Sequence, residues 1–182
     1  MKQKDETMRD ILLTNARMIT DTRGIDELSI RFIAKKSGVA VGTVYNYFSN
    51  KEELLLALTE KYWKEILLEM ESVIILDSFY KQLKEMYDFL KKSMEHSGRI
   101  LMQSLKNTHI DGKRQMESME QSLEKIIRQQ LEQDKKIRLD IWNISFTKEQ
   151  YAHFIMMNFI AHLRTKAPDI SFFIEIVKRT LY

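Results

Sequence analysis

The side chains of this sequence that can hold or transform a ligand form no visible reaction centre. Its four histidines, His96, His109, His153 and His162, are scattered, and none stands at metal-ligand spacing from a second histidine. His109 and Asp111 make only an H-x-D, well short of the ligand set a zinc ion needs. Serine, histidine and acids are all present, yet no glycine-framed nucleophile turn and no phosphate-cradling glycine loop accompanies them. There is no cysteine, which removes disulfides, thiolate metal sites and thiol nucleophiles and fits a reducing cytoplasm. No cofactor is implied. What remains is electrostatic. The stretch LSIRFIAKKSGVAVGTVYNYFSNK, from Leu28 to Lys51, carries Arg31, Lys35, Lys36 and Lys51 and no acid, whereas Asp26 and Glu27 precede it and Glu52 and Glu53 follow. Since the whole chain is at +3, these four cations leave the remainder slightly negative. A short basic segment with a glycine between two helical patterns is what a helix-turn-helix needs to lie on a phosphate backbone.

The elements that position this segment are helical. One proline and five glycines in 182 residues supply too few turns for an all-β fold, and a 44% hydrophobic content suffices for a core. Met8, Ile11, Leu12, Ala16 and Ile19 recur at helical spacing between Asp5 and Thr22, with Gly24 set to end that helix. Ser29 is placed to cap a second helix carrying Ile30, Ile33 and Ala34, and Gly38 ends it. A third helix from Ala40 to Tyr47 turns Val44 and Phe48 inward and leaves Val41, Gly42, Tyr45 and Asn46 outward. Asn50 and Glu53 read as a capping box for a long fourth helix, whose stripe runs through Leu54, Leu58, Tyr62, Ile66, Met70 and Val73 without a proline or glycine. We place a domain boundary near Thr59, giving residues 1–58 and 59–182.

Further on, Phe79, Leu83, Met86, Tyr87, Leu90 and Met94 form a fifth stripe. A short helix from Arg99 to Lys106, a polar turn from Asn107 to Gly112 and a helix through Met116, Met119, Leu123, Ile127 and Leu131 follow. Asp134 to Asp140 reads as a loop or fraying end. Thr147 and Gln150 make another capping box, with Phe146 and Tyr151 as its hydrophobic staple. The next helix is apolar around nearly its whole circumference from Phe154 to Ala161, and the segment after Pro168 is again strongly apolar. Two such helices point to a homodimer built as a four-helix bundle, with Tyr151, Ile155, Phe159, Phe173, Ile174, Val177 and Leu181 at the interface. The first residues, MKQKDETMRD, are polar rather than signal-like, and no run approaches the roughly 18 apolar residues of a membrane span. The expected class is all-α, with about nine helices.

The order of these features resembles the TetR family of bacterial transcriptional regulators. IA, SGV, GT, Y-x-YF and KEEL between Ile33 and Leu54 stand in that family's order and spacing, and the likeness extends over about residues 8 to 60. The resemblance implies an N-terminal helix-turn-helix domain joined by the long helix to a helical domain for effector binding and dimerisation. It implies phosphate contacts from the backbone at Gly42, the hydroxyls of Thr43 and Tyr47, and the Lys51 ammonium. Ser29 and Arg31 match positions that touch DNA, and an arginine there reaches a guanine edge. Val41 and Tyr45 are candidates for thymine methyls and Asn46 for an adenine edge; Tyr45 packing on its own domain and Asn46 facing solvent remain the alternatives.

Eight of the eleven methionines, with Trp63 and Trp142, lie beyond Thr59 and suit a cavity for apolar ligands of varied shape. Candidate lining residues are Trp63, Met86, Tyr87, Met102, Met119, Phe154, Asn158 and His162. Asn158 and His162 share one helix face and orient a ligand or bond across the dimer. The implied protein is a cytoplasmic homodimer bound to a double-stranded operator, a repressor released by a small apolar or amphipathic effector, and neither an enzyme nor a membrane protein. Control by a protein partner, or a helical carrier or enzyme without DNA function, are the alternatives.

Overall fold

The computed structural model describes residues 5–73, 78–94, 110–165 and 169–182. Among these are eight α-helices and no strand: α1 Glu6–Arg23, α2 Ile30–Ser37, α3 Val41–Tyr45, α4 Lys51–Val73, α5 Phe79–Ser93, α6 Ile110–Gln133, α7 Lys148–Thr165 and α8 Ser171–Leu181. The fold is all-α, as expected. The short helix expected at Arg99 to Lys106 lies outside the described residues, as does the polar turn up to residue 109. Ile110 to Gly112, assigned to that turn, instead form the first turn of α6. The chain divides into two compact units, one of Met1–Glu65 with Met94–Met116, the other of Ile66–Ser93 with Glu117–Tyr182.

In the first unit, local chemistry sets each helix end. The Asp5 carboxylate accepts the Thr7 N–H at 2.9 Å and opens α1. Ser29, in extended conformation, accepts the Phe32 N–H at 3.2 Å and opens α2. Gly38, at φ 68°, closes α2 in the left-handed region that a side chain resists. α3 is shorter than the sequence predicts. It has no side-chain cap, and Gly42 with the β-branched Val41, Thr43 and Val44 propagates a helix poorly. The chain leaves it through a tight turn in which the Tyr47 and Phe48 N–H groups both bond the Val44 carbonyl at 3.0 Å. Leu12, Leu13, Ala16, Ile19, Leu28, Ile33, Val44, Phe48, Leu54 and Leu58 are buried and form its core.

Polar contacts then fix α1 against its neighbours. The Asn15 amide donates to the Ser37 hydroxyl at 2.9 Å, joining α1 to α2. Arg17 lies 4.0 Å over the Tyr62 ring while pairing with Asp21 and Glu65, and Lys61 pairs with Asp10 at 2.9 Å, joining α1 to α4. These surface ion pairs are each worth at most about 1 kcal/mol, so the buried apolar contacts supply most of the stability.

In the second unit the predicted stripes are buried: Phe79, Leu83, Met86, Tyr87 and Leu90 of α5, and Met119, Leu123, Ile126, Ile127 and Leu131 of α6. Residues 134–140 are non-helical, as the sequence indicates, and the non-helical stretch continues to residue 147, but the start of this loop is held rather than frayed. The Asp134 carboxylate accepts the N–H groups of Phe79 (2.7 Å) and Lys136 (2.8 Å) and the Tyr182 hydroxyl. Burial pushes this carboxyl up, but the hydroxyl and the two amides outweigh it and hold it below the usual range. The capping box of α7 forms as predicted: Thr147 N–H to Gln150 Oε1 at 3.1 Å and Gln150 N–H to Thr147 Oγ1 at 3.2 Å, with the Phe146 and Tyr151 rings 5.2 Å apart.

Candidate nucleic-acid interface

The structure brings the basic segment together on α2, α3 and the start of α4. Ser29 and Arg31 are exposed at the first turn of α2, and Lys35 and Lys36 are exposed in its last turn. On α3, Val44 is fully buried, which turns the opposite side outward: Val41 is 37% exposed and Tyr45 53%. Tyr45 therefore does not pack into its own domain. Gly42 and Asn46 are exposed, and Thr43 and Tyr47 are half-buried. A Cβ added to Gly42 would meet no protein atom within 4 Å, so nothing within the fold requires glycine there.

Lys51 has a partner within the fold. Its ammonium donates to the Ile25 carbonyl at 3.3 Å, tethering the turn before α2 to the first turn of α4. No sequence signal marks Ile25, because the acceptor is backbone. The α4 cap also differs in detail from the expected box. Asn50 Oδ1 accepts the Glu53 N–H at 2.8 Å, but the Glu53 carboxylate reaches back to the amide (2.7 Å) and hydroxyl (2.6 Å) of Ser49. Both arms keep the chain between α3 and α4 in one conformation.

The arrangement is a cationic segment, without an acid from Leu28 to Lys51, that carries an apolar and aromatic ridge on a short helix, suited to a nucleic-acid groove. The sequence model described as "Bacterial regulatory proteins, tetR family" matches residues 12–58, which span α1 through the first turns of α4. Over this segment the chain resembles the tetR family of bacterial regulatory proteins. A fatty acid metabolism regulator of Bacillus subtilis is 35% identical over 74 residues, 41% of this chain and 38% of that protein. The aligned parts of three such relatives amount to 38%, 54% and 56% of their lengths, so the chain matches only about half of each. Among solved structures, the fatty acid degradation regulator FadR of Bacillus halodurans shares 18% identity at a TM-score of 0.62, covering 98% of this chain and 94% of that one. RolR in complex with resorcinol shares 19% identity at a TM-score of 0.66, covering 97% and 88%. These structural likenesses establish a fold shared with those two proteins.

The other predicted residues fall differently. Of the ligand candidates, Trp63, Met86, Tyr87 and Met119 are buried, and Met102 lies outside the described residues. Burial, then the charges of Asp88 and Asp169, push the Tyr87 phenol up. Phe154 is 44% exposed and is no interior wall. Asn158 and His162 find partners within α7, one turn back: Asn158 Nδ2 donates to the Phe154 carbonyl at 2.8 Å and His162 Nδ1 contacts the Asn158 carbonyl at 2.7 Å. The His162 ring also lies against Tyr87 and Phe173, with ring centroids 6.4 and 5.8 Å away. A groove of about 200 Å³ lined by Tyr80, Lys84, Ile170, Ile174 and Lys178 among others contains none of the eight candidates.

The interface residues need correction. Tyr151, Ile155, Phe159, Phe173, Val177 and Leu181 are buried in the protomer's own core, and Ile174 is half-buried. The apolar side chains that α7 and α8 turn to solvent are Phe154, Met157, Phe172 (81% exposed) and Ile176. The sequence shows both helices to be apolar on several faces, but not which face the α5 and α6 stripes cover. Among the described residues no three of His, Asp and Glu gather as metal ligands, and no helix is long and apolar enough to cross a membrane.

Proposed function

We propose that this protein is a ligand-responsive, sequence-specific DNA-binding regulator that acts as a homodimer in the cytoplasm and represses transcription until a small apolar or amphipathic effector releases it. The observation that carries the reading is the acid-free segment from Leu28 to Lys51, folded so that Arg31, Lys35 and Lys36 and the Val41, Tyr45 and Asn46 side chains are exposed on adjoining helices. Ser29, Thr43, Tyr47, Lys51 and the Gly42 backbone hold phosphates, while Val41, Tyr45, Asn46 and Arg31 face bases. Two copies set their α3 helices in successive major grooves about 34 to 36 Å apart on a pseudo-palindromic operator.

The dimer surface in this reading is the exposed set Phe154, Met157, Phe172 and Ile176. The DNA-binding domain is assigned to residues 1–58 and the effector domain to 59–182, with the effector held by Met86, Tyr87 and Met119 and by His162 at its polar end. An effector that favours the DNA-incompetent conformation by about 1 to 3 kcal/mol lowers operator affinity about 5- to 150-fold. The test is selection of bound sequences from random DNA, followed by a screen for compounds that release the protein. Recovery of a pseudo-palindrome, bound with a steep salt dependence, is the expected result. Binding without sequence preference, or none, refutes the reading.

A further inference from the structure

We infer that the half-site this protein reads is built of A·T pairs under α3, with one guanine contacted by Arg31. The inference rests on the DNA-binding reading above and names the class of sequence that reading leaves open. Residues 41–46 are VGTVYN, with no Arg, Lys, Gln, Glu or Asp. α3 therefore lacks the side chains that pair with guanine O6 and N7 or accept from cytosine N4. Val44 is fully buried, Gly42 has no side chain and Thr43 is half-buried, so only Val41, Tyr45 and Asn46 are free to read. Val41 and Tyr45 stand at i, i+4 on one face, about 6 Å apart along the axis, which corresponds to about two base-pair steps. An isopropyl group and an aromatic ring at that spacing match thymine methyls, the one apolar group the major groove offers. Asn46 has the amide geometry for adenine N6 and N7.

Guanine must then be read from outside α3. Of the four arginines on α1 and α2, three are committed: Arg9 over the Phe48 ring at 5.6 Å, Arg17 over Tyr62, and Arg23 over Phe32 at 4.9 Å. Arg31 is exposed, and among the described residues it makes no ion pair and stacks on no ring. Its guanidinium keeps the planar fork that pairs bidentately with guanine, whereas Lys35 and Lys36 offer point charges suited to phosphate.

The test uses the full chain and its selected operator in fluorescence anisotropy. Each thymine of the half-site is replaced in turn by uracil, which deletes only the methyl, and each guanine by 7-deazaguanine, which deletes only the N7 acceptor. At one or two thymines uracil should weaken wild-type binding by about fourfold per buried methyl, and this loss should vanish in Val41→Ala or Tyr45→Ala. One 7-deazaguanine should weaken wild-type binding by about fivefold or more and leave Arg31→Ala unchanged. All three positions are exposed, and binding to random DNA at low salt reports that each variant is folded. Uracil without effect at every thymine, or a selected half-site with G·C pairs whose contacts are lost in the Val41 and Tyr45 variants, overturns the half-site and leaves the regulator reading standing. Equal binding to all sequences overturns both.

Discussion

Gly42→Ala separates what the fold needs from what DNA needs at the start of α3. Gly42 is not at positive φ, unlike Gly24 and Gly38, and a Cβ there meets no protein atom within 4 Å. The substitution therefore introduces neither strain nor a clash. Alanine is favoured over glycine by about 1 kcal/mol in a helix interior, and roughly half of that applies near the end of a five-residue helix. In a chain of this size 1 kcal/mol moves Tm by about 2 to 4 °C, so the variant should melt about 1 to 2 °C higher. In the proposed complex the added methyl occupies the gap through which the DNA approaches the backbone, and operator affinity should fall at least about tenfold, equivalent to about 1.4 kcal/mol. Gly38→Ala, at φ 68°, is the opposite control and should lower stability by roughly 1 to 2 kcal/mol. Calorimetry and operator anisotropy on the two variants read both effects. A lowered Tm for Gly42→Ala, or unchanged operator affinity, would refute the reasoning.

Phe172→Glu with Ile176→Glu should give folded monomers in sedimentation, because both side chains are exposed in the protomer; Phe173→Glu, at a buried position, should instead unfold the chain, and a double variant that remains dimeric removes α8 from the interface. Tyr47→Phe and Lys51→Met should weaken binding to operator and random DNA alike, the lysine variant also lowering the salt slope by about 1, and a loss confined to the operator contradicts a phosphate role. Asp134→Asn should destabilise the protein at neutral pH. The wild-type carboxyl is held below its unfolded value of about 3.9, so its contribution is complete above that pH and lost as pH falls through the folded value. The stability gap between the two proteins should therefore narrow as pH falls below about 4, and a gap that does not change as pH falls counts against the Asp134 anchor.

The helix-turn-helix was legible because each of its parts is a local rule. Ser29 caps, Gly38 turns left-handed, and Val44 and Phe48 stand one turn apart, so a few neighbouring residues decide each outcome. The same holds for the Thr147 and Gln150 box. What failed to read correctly depends on partners distant in sequence. Phe173 and Phe172 are adjacent and chemically identical, yet one is 5% and the other 81% exposed, because packing by Phe154 and Phe159 covers only the first. Asn158 and His162 drew notice as polar groups in an apolar helix, but the carbonyl one turn back satisfies each, an option any helix provides. The Asp134 anchor joins residues separated by 48 and 55 positions, a distance over which periodicity carries no information.

In the proposed complex, DNA and folding share one atom of the α2 cap. Ser29 Oγ uses a lone pair to receive the Phe32 amide, and a hydroxyl has a proton to give as well. A phosphate can take that proton without displacing the amide, so docking on DNA does not uncap the helix. Threonine keeps both capacities, whereas asparagine caps nearly as well and replaces the hydroxyl proton with those of an amide directed elsewhere. A serine-to-asparagine change would thus leave a well-formed helix with a missing grip, a defect that thermal stability alone would never reveal.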